Sequence, residues 1–205
     1  VDAALSDVLE STQFILGKNV SKLEEEISAY HGLAHAIGVA NGTDALLLAL
    51  RALEIKAGDE VITTPFTFIA TAEVIALLNA VPVFVDICPD TFNLDCSQIE
   101  KKITSKTKAI IPVHLFGHPA EMDLVMEIAR KYNLKVVEDC AQAFGAKYRG
   151  QKVGTIGDAG CFSFFPSKNL GGYGDGGMVI TKHKDIAEKI RILRNHGSST
   201  RYHHL

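Results

Sequence analysis

Residues 109–139, AIIPVHLFGHPAEMDLVMEIARKYNLKVVED, decide the fold. Ala109-Ile-Ile-Pro-Val113 is a short, continuously apolar run and reads as a buried strand. Glu121–Tyr132 carries apolar residues at Met122, Val125, Met126 and Ala129, which is helical spacing with one buried stripe. Lys135-Val-Val137 is a second apolar strand, and it ends on two carboxylates, Glu138 and Asp139. A strand, a helix and a strand, with neither strand alternating in polarity, predict parallel strands covered on both faces.

The same alternation runs outward in both directions. Upstream, His35–Ala40, Val61-Ile62 and Val83-Phe-Val85 read as strands. Between them, Ala45–Leu53, Thr67–Leu78 and Ser97–Ile103 read as helices. Ser21-Lys-Leu-Glu24 has the form of a capping box and predicts a helix from there to about Tyr30, stopped near Gly32. Residues 2–10 have helical spacing. Downstream, Ala146–Lys152 reads as a hairpin turning at Arg149-Gly150. Gly160–Phe165 and Gly177–Thr181 are strands, and Lys184–Arg194 is a last helix stopped by Gly197. The expected class is α/β: three layers, α/β/α, with a mostly parallel central sheet.

Composition agrees. The 205 residues are 47% hydrophobic and 22% charged, with a net charge of −3. A sizeable core is affordable, and no charge excess calls for nucleic acid or an anionic membrane. No apolar run reaches the ~20 residues of a spanning helix, and residues 1–11 lack the pattern of a signal peptide. A cytoplasmic protein is expected. Cys88, Cys96, Cys140 and Cys161 show no C-x-x-C spacing and read as reduced thiols. His114 and His118 have ligand spacing, but Gly117 and Pro119 break any helix, so they read as loop or strand-end histidines. His31 and His35 read the same way, and no metal is expected.

Ligands of open α/β sheets bind at the carboxyl ends of the strands. The polar residues there are Asn41-Gly-Thr43, Thr63-Thr-Pro65, Asp86, His114, Asp139 and the loop after Cys161-Phe-Ser-Phe-Phe165. That loop, Pro166-Ser-Lys-Asn-Leu-Gly-Gly-Tyr-Gly-Asp-Gly-Gly177, places Lys168 between aromatics and glycines. A desolvated lysine there would be a nucleophile suited to Schiff bases, while a solvated surface lysine is the plain alternative. Gly42-Thr43 opens a helix after a strand, which suits phosphate, although Thr43 as a simple cap is the commoner reading. Gly172-x-Gly174-x-x-Gly177 has the letters of a dinucleotide fingerprint but a strand follows it, so the nicotinamide reading fails on context. Asp139 at a buried strand end needs a cation or a local role such as capping a short helix over Ala141–Phe144. A phosphate turn, a Schiff-base lysine, a buried Asp and a nearby aromatic (Phe66 or Phe68) jointly favour pyridoxal phosphate.

Six motifs carry a resemblance over nearly the whole chain. They are Asn41-Gly-Thr-Asp-Ala-Leu46, Gly58-Asp-Glu-Val61, Pro65-Phe-Thr-Phe-Ile-Ala-Thr71, Pro112-Val-His-Leu-Phe-Gly117, Glu138-Asp-Cys-Ala-Gln-Ala143 and Ser163-Phe-Phe-Pro-Ser-Lys-Asn169. In this order they resemble the DegT/DnrJ/EryC1/StrS sugar aminotransferases, which have the aspartate aminotransferase fold (fold type I). The resemblance implies pyridoxal 5′-phosphate as cofactor, a nucleotide-linked keto sugar as substrate, and L-glutamate as the usual amino donor. It implies that Lys168 holds the cofactor covalently and moves protons, and that Asp139 pairs with the ring nitrogen. It places Gln142 by the ring oxygen, Gly42, Thr43 and Ser167 on the phosphate, and Phe68 on the ring face. Lysine at 168, where dehydratases of the family have His, implies transamination. Cys140 stands where many members have Ala. Arg194-Asn-His-Gly197 and Arg201-Tyr-His-His204 resemble most closely the branch that aminates C3 of UDP-linked N-acetylated sugars.

The resemblance further implies a homodimer with shared active sites. It also implies that residues 1–205 form an N-terminal segment plus the large cofactor domain, ending before a small C-terminal domain. The alternatives are another fold type I enzyme acting on an amino acid, and a non-catalytic regulatory relative.

Overall fold

A computed structural model describes residues 1–200 and 203–204. The chain begins with two helices, α1 (Asp2–Ser11) and α2 (Lys18–His31). β1 (His35–Val39), α3 (Gly42–Ala52), β2 (Glu60–Thr63), α4 (Ala70–Leu77) and β3 (Val81–Phe84) follow. Next come α5 (Cys96–Ile99), β4 (Thr107–Ile110), α6 (Met122–Tyr132) and β5 (Lys135–Asp139). A hairpin of β6 (Lys147–Tyr148) and β7 (Gln151–Lys152) precedes β8 (Ala159–Ser163), β9 (Gly177–Thr181) and α7 (Lys184–Arg194). Two short strands, β10 (Ser198–Thr200) and β11 (His203–His204), pair at the end of the chain. Arg201, Tyr202 and Leu205 lie outside the described residues.

Seven strands form one sheet in the order β1-β9-β8-β5-β4-β2-β3. From β3 to β8 all pairings are parallel, and β9 runs antiparallel to both β8 and β1. The carboxyl ends of β1, β2, β3, β4, β5 and β8 therefore share one edge, and β9 starts there. Adjacent residues on each strand serve opposite layers, as strand geometry requires. Val61, Ile111, Val137 and Val179 pack with Leu46 and Leu50 of α3, Val74 of α4 and Ile190 of α7. Ile62, Ile110 and Val136 pack with Ile99 of α5 and with Met122, Val125 and Ile128 of α6. Ile62, Ile110, Val136 and Val137 have no exposed surface, and each such side chain contributes about 2 kcal/mol by leaving water. The two-faced burial is why these strands are apolar throughout.

The hairpin turns where expected, with Arg149 and Gly150 both at positive φ (48° and 85°), the geometry that matches strand twist. Five local readings fail. The helix assigned to the Ser21–Glu24 box starts earlier, at Lys18 after Gly17. Ser21 is thus already inside it, and Glu24 is drawn away by Arg194 (2.6 Å) and the Gly38 N–H (2.8 Å). The helix read from Thr67 begins at Ala70, after bends at 65–67 and a turn at Ile69. The helix read over 97–103 is one α-turn, Cys96–Ile99, continued as a 3-10 turn, Glu100–Lys102. Ala141–Phe144 forms turns rather than a helix. His31 is not a loop residue. It ends α2 and is buried against Tyr30, Phe144 and Phe162, with ring centroids 5.0–5.5 Å away.

Candidate active site

The shared strand edge opens into a cavity of about 480 Å³, a size suited to a small organic ligand. Gly42, Thr43, Phe68, Asp139, Gln142, Ser167 and Lys168 all line it. The chain brings them from four separate strand ends. Gly42 and Thr43 follow β1, Phe68 follows β2, Asp139 ends β5 with Gln142 just beyond, and Ser167 and Lys168 follow β8.

Gly42 and Thr43 are the first two residues of α3. Their amides precede the first intrahelical donor, Ala45, which reaches Asn41 O at 3.0 Å. Asn41 Oδ1 caps the helix by accepting from the Asp44 N–H at 2.8 Å. Thr43 is therefore not the cap, and the turn keeps its donors and the positive end of the dipole for an anion. Glycine is required at 42 by close packing. A Cβ there would sit 2.7 Å from the Ser163 Cβ on β8.

Asp139 is 5% exposed. Its Oδ2 accepts from Thr71 Oγ1 at 2.8 Å and its Oδ1 from the Ala141 N–H at 3.1 Å. Its own N–H donates to Pro112 O (2.9 Å) and its carbonyl accepts from the His114 N–H (3.0 Å). Burial pushes the carboxyl above the ordinary carboxylate range. The Thr71 and Ala141 hydrogen bonds and the charges of His114 and Lys168 pull only partly the other way. A cation placed against this carboxylate would relieve that cost. Gln142 Oε1 accepts from the Phe116 N–H at 2.8 Å, so its NH₂ group is left as a donor. Phe116 makes that contact from a positive φ of 54° while 75% exposed.

Lys168 is half-buried rather than desolvated, and Ser167 and Phe68 are exposed. The Lys168 N–H donates to Phe165 O at 2.8 Å, which makes the turn. Gly177, where the chain re-enters the sheet, leaves no room for a Cβ against Asn41 O. That contact ties the end of the lysine loop to the anion turn.

Phe66 packs on Phe92, centroids 5.8 Å apart, and does not line the cavity, whereas Phe68 and Phe165 do. Asp86 donates nothing to this site. Its carboxylate accepts from the Ile87 N–H at 2.8 Å. His118 Nδ1 meets Asn93 Nδ2 at 3.0 Å, whereas His114 Nε2 meets Glu138 Oε2 at 3.0 Å, so the two histidines serve different places. His114, Glu138 and Cys140 bring ligand-type atoms within 4.8 Å of one another. Both His114 nitrogens are already used, Nδ1 by the Ala120 N–H at 3.1 Å. Burial pushes the Cys96 thiol up to about 12 and raises those of Cys140 and Cys161 as well, so these are inert thiols. Sequence reasoning missed Thr67, Thr71, Ser163 and Asp175, which also line the cavity. For Thr71 a signal existed: a hydroxyl within an otherwise apolar helix face.

Residues 1–205 match the DegT/DnrJ/EryC1/StrS aminotransferase family. A protein of Geobacillus stearothermophilus named a pleiotropic regulatory protein is 56% identical over 200 residues, covering 98% of this chain and 54% of the relative. The UDP-N-acetyl-3-dehydro-alpha-D-glucosamine 3-aminotransferase of Acidithiobacillus ferrooxidans is also 56% identical, with the same coverage. Among solved structures, DesV of S. venezuelae in complex with a ketimine intermediate superposes with a TM-score of 0.96 at 48% identity, covering 99% of this chain and 55% of DesV. The chain belongs to the DegT/DnrJ/EryC1/StrS aminotransferase family, which is pyridoxal phosphate-dependent in general, and it has that family's α/β fold. It spans about half the length of the curated relatives it matches. No helix among the described residues is long and apolar enough to cross a membrane.

Proposed function

We propose that these residues form the cofactor site of a pyridoxal 5′-phosphate-dependent aminotransferase that converts a nucleotide-linked keto sugar to an amino sugar, with L-glutamate as donor. One observation carries the reading. A buried carboxylate with no ion pair among the described residues, a set of anion-ready amides and a half-buried lysine line the same cavity. Those are the complements of a cationic ring, a phosphate and an aldehyde. When bound, pyridoxal phosphate supplies an electron sink that lets an amino group pass between two carbon skeletons.

The chain's residues divide the remaining work. The Gly42 and Thr43 amides, with the Thr43 and Ser167 hydroxyls, would hold the phosphate. Asp139 would hold positive charge at the ring nitrogen, and the Gln142 NH₂ would donate to the ring oxygen. Phe68 would cover a ring face. Lys168 Nζ would anchor the cofactor and, once displaced by the donor amine, carry a proton as acid and base. Exposed Phe66, Phe116 and Phe165 support a partner surface near the site, as in a homodimer with shared active sites. The resemblance supports a cytoplasmic enzyme making sugars for surface polysaccharide or glycoconjugates.

The test uses the full-length protein. L-Glutamate should convert the bound cofactor to its amine form without releasing ammonia. A panel of 3-keto and 4-keto UDP- and dTDP-sugars should then return it to the aldehyde form with one of them. Ammonia release would instead favour a lyase. The regulatory name of the Geobacillus relative supports a second reading, a sensor, which cofactor binding without turnover across the panel would favour.

A further inference from the structure

Thr71 is 1% exposed, on the first turn of α4, beside buried Ala70, Val74 and Ile75. A hydroxyl has one hydrogen. Thr71 uses it on Asp139 Oδ2 at 2.8 Å. At the 3.2 Å contact between Thr67 Oγ1 and Thr71 Oγ1, Thr67 is therefore the donor. The two threonines form a directed relay from the half-buried cavity wall to the carboxylate. The Asp139 backbone is held by Pro112 and His114, and its carboxylate is oriented by the Thr71 hydroxyl and the Ala141 N–H. The charged and titratable groups around it are Lys168, His114, Glu138 and the thiols of Cys140 and Cys161. Of everything that opposes the effect of burial on Asp139, the Thr71 hydroxyl is the largest contributor.

We propose that Thr71, oriented by Thr67, is a positioning residue that holds Asp139 Oδ2 as an acceptor facing the cavity, and thereby sets how tightly a cationic aromatic ring is retained there. The inference rests on the cofactor reading above. Val at 71 preserves shape and removes the donor, while Ser preserves the donor.

Pyridoxal phosphate affinity is measured by fluorescence titration of full-length apoprotein across neutral to alkaline pH, in wild type, Thr71→Val, Thr71→Ser and Asp139→Asn. Thr71→Val should bind about tenfold more weakly near neutral pH. The gap should narrow as pH rises and Asp139 ionises unaided, and Thr71→Ser should bind like wild type. A cofactor-independent readout accompanies it: the ¹³C carboxyl resonance of Asp139 in apoprotein should titrate at higher pH in Thr71→Val than in wild type. Unchanged affinity in Thr71→Val with a weak Asp139→Asn overturns the inference, as does an unmoved carboxyl titration. A wild-type protein that binds no cofactor while Thr71→Val still moves that titration overturns the cofactor reading instead.

Discussion

Glu138 and Asp139 are neighbours on one strand and both are buried, yet the chain treats them in opposite ways. Glu138 is fully enclosed and accepts four hydrogen bonds. These come from His114 Nε2 (3.0 Å) and the N–H groups of Gly154 (2.7 Å), Ile156 (2.8 Å) and Gly157 (2.7 Å). Nothing is left over for a ligand. Asp139, on the other face, has one donor per oxygen and a cavity in front of it. Two buried carboxylates thus separate by their donors: a saturated one pins a loop, and an under-supplied one waits for a cation.

Substitutions at the two positions should separate these roles. Glu138→Gln turns an amide NH₂ toward backbone donors and should cost about 3 kcal/mol of unfolding free energy, read by urea denaturation of apoprotein. A loss below a few tenths would end the claim that Glu138 is structural. Asp139→Asn should do the reverse. Its carboxyl is raised in the folded state, so its stabilising contribution is full below the unfolded pKa and is lost as pH rises through the folded value. At neutral pH the Asn variant should be at least as stable as wild type without cofactor, with the advantage vanishing in acid. Cofactor affinity should meanwhile fall steeply. Equal destabilisation by both variants would dissolve the distinction.

His31 is a third buried titratable group and gives the smallest effect. Burial lowers it below its usual 6.5, and nearby Lys152 adds to the lowering. The Ile27 carbonyl, reached by Nδ1 at 3.0 Å, and Glu138 only partly offset this. Its contribution is full above the unfolded value and is lost as pH falls below about 6.5. His31→Phe should change little at pH 8 and should flatten the acid-side fall of the urea midpoint. An unchanged acid slope would assign that fall to other groups.

The site was legible in the sequence further than the details of its support. Gly42, Thr43, Asp139 and Lys168 were readable because each follows an apolar strand, and the strand ends meet at one edge of a parallel sheet. Gln142, Ser167 and the choice of Phe68 over Phe66 came only through the family resemblance, and all seven line the cavity. Thr71 was quoted within a motif and given no role. Its partner is 68 residues away, and no local pattern reports a contact across that separation. The Ser21–Glu24 box misled for the same reason, since Glu24 answers to Arg194 and Gly38 rather than to its own turn. A short helix over Ala141–Phe144, capped by Asp139, was the local alternative to a cation partner. Asp139 does accept from the Ala141 N–H, but the chain turns instead of coiling.

Lys168 bears the central claim. Purified full-length protein given pyridoxal phosphate should show the yellow absorbance of a cofactor held by a lysine. Lys168→Ala should lose it, and Lys147→Ala, on the exposed hairpin strand β6, should keep it. Unchanged absorbance in Lys168→Ala would contradict the account.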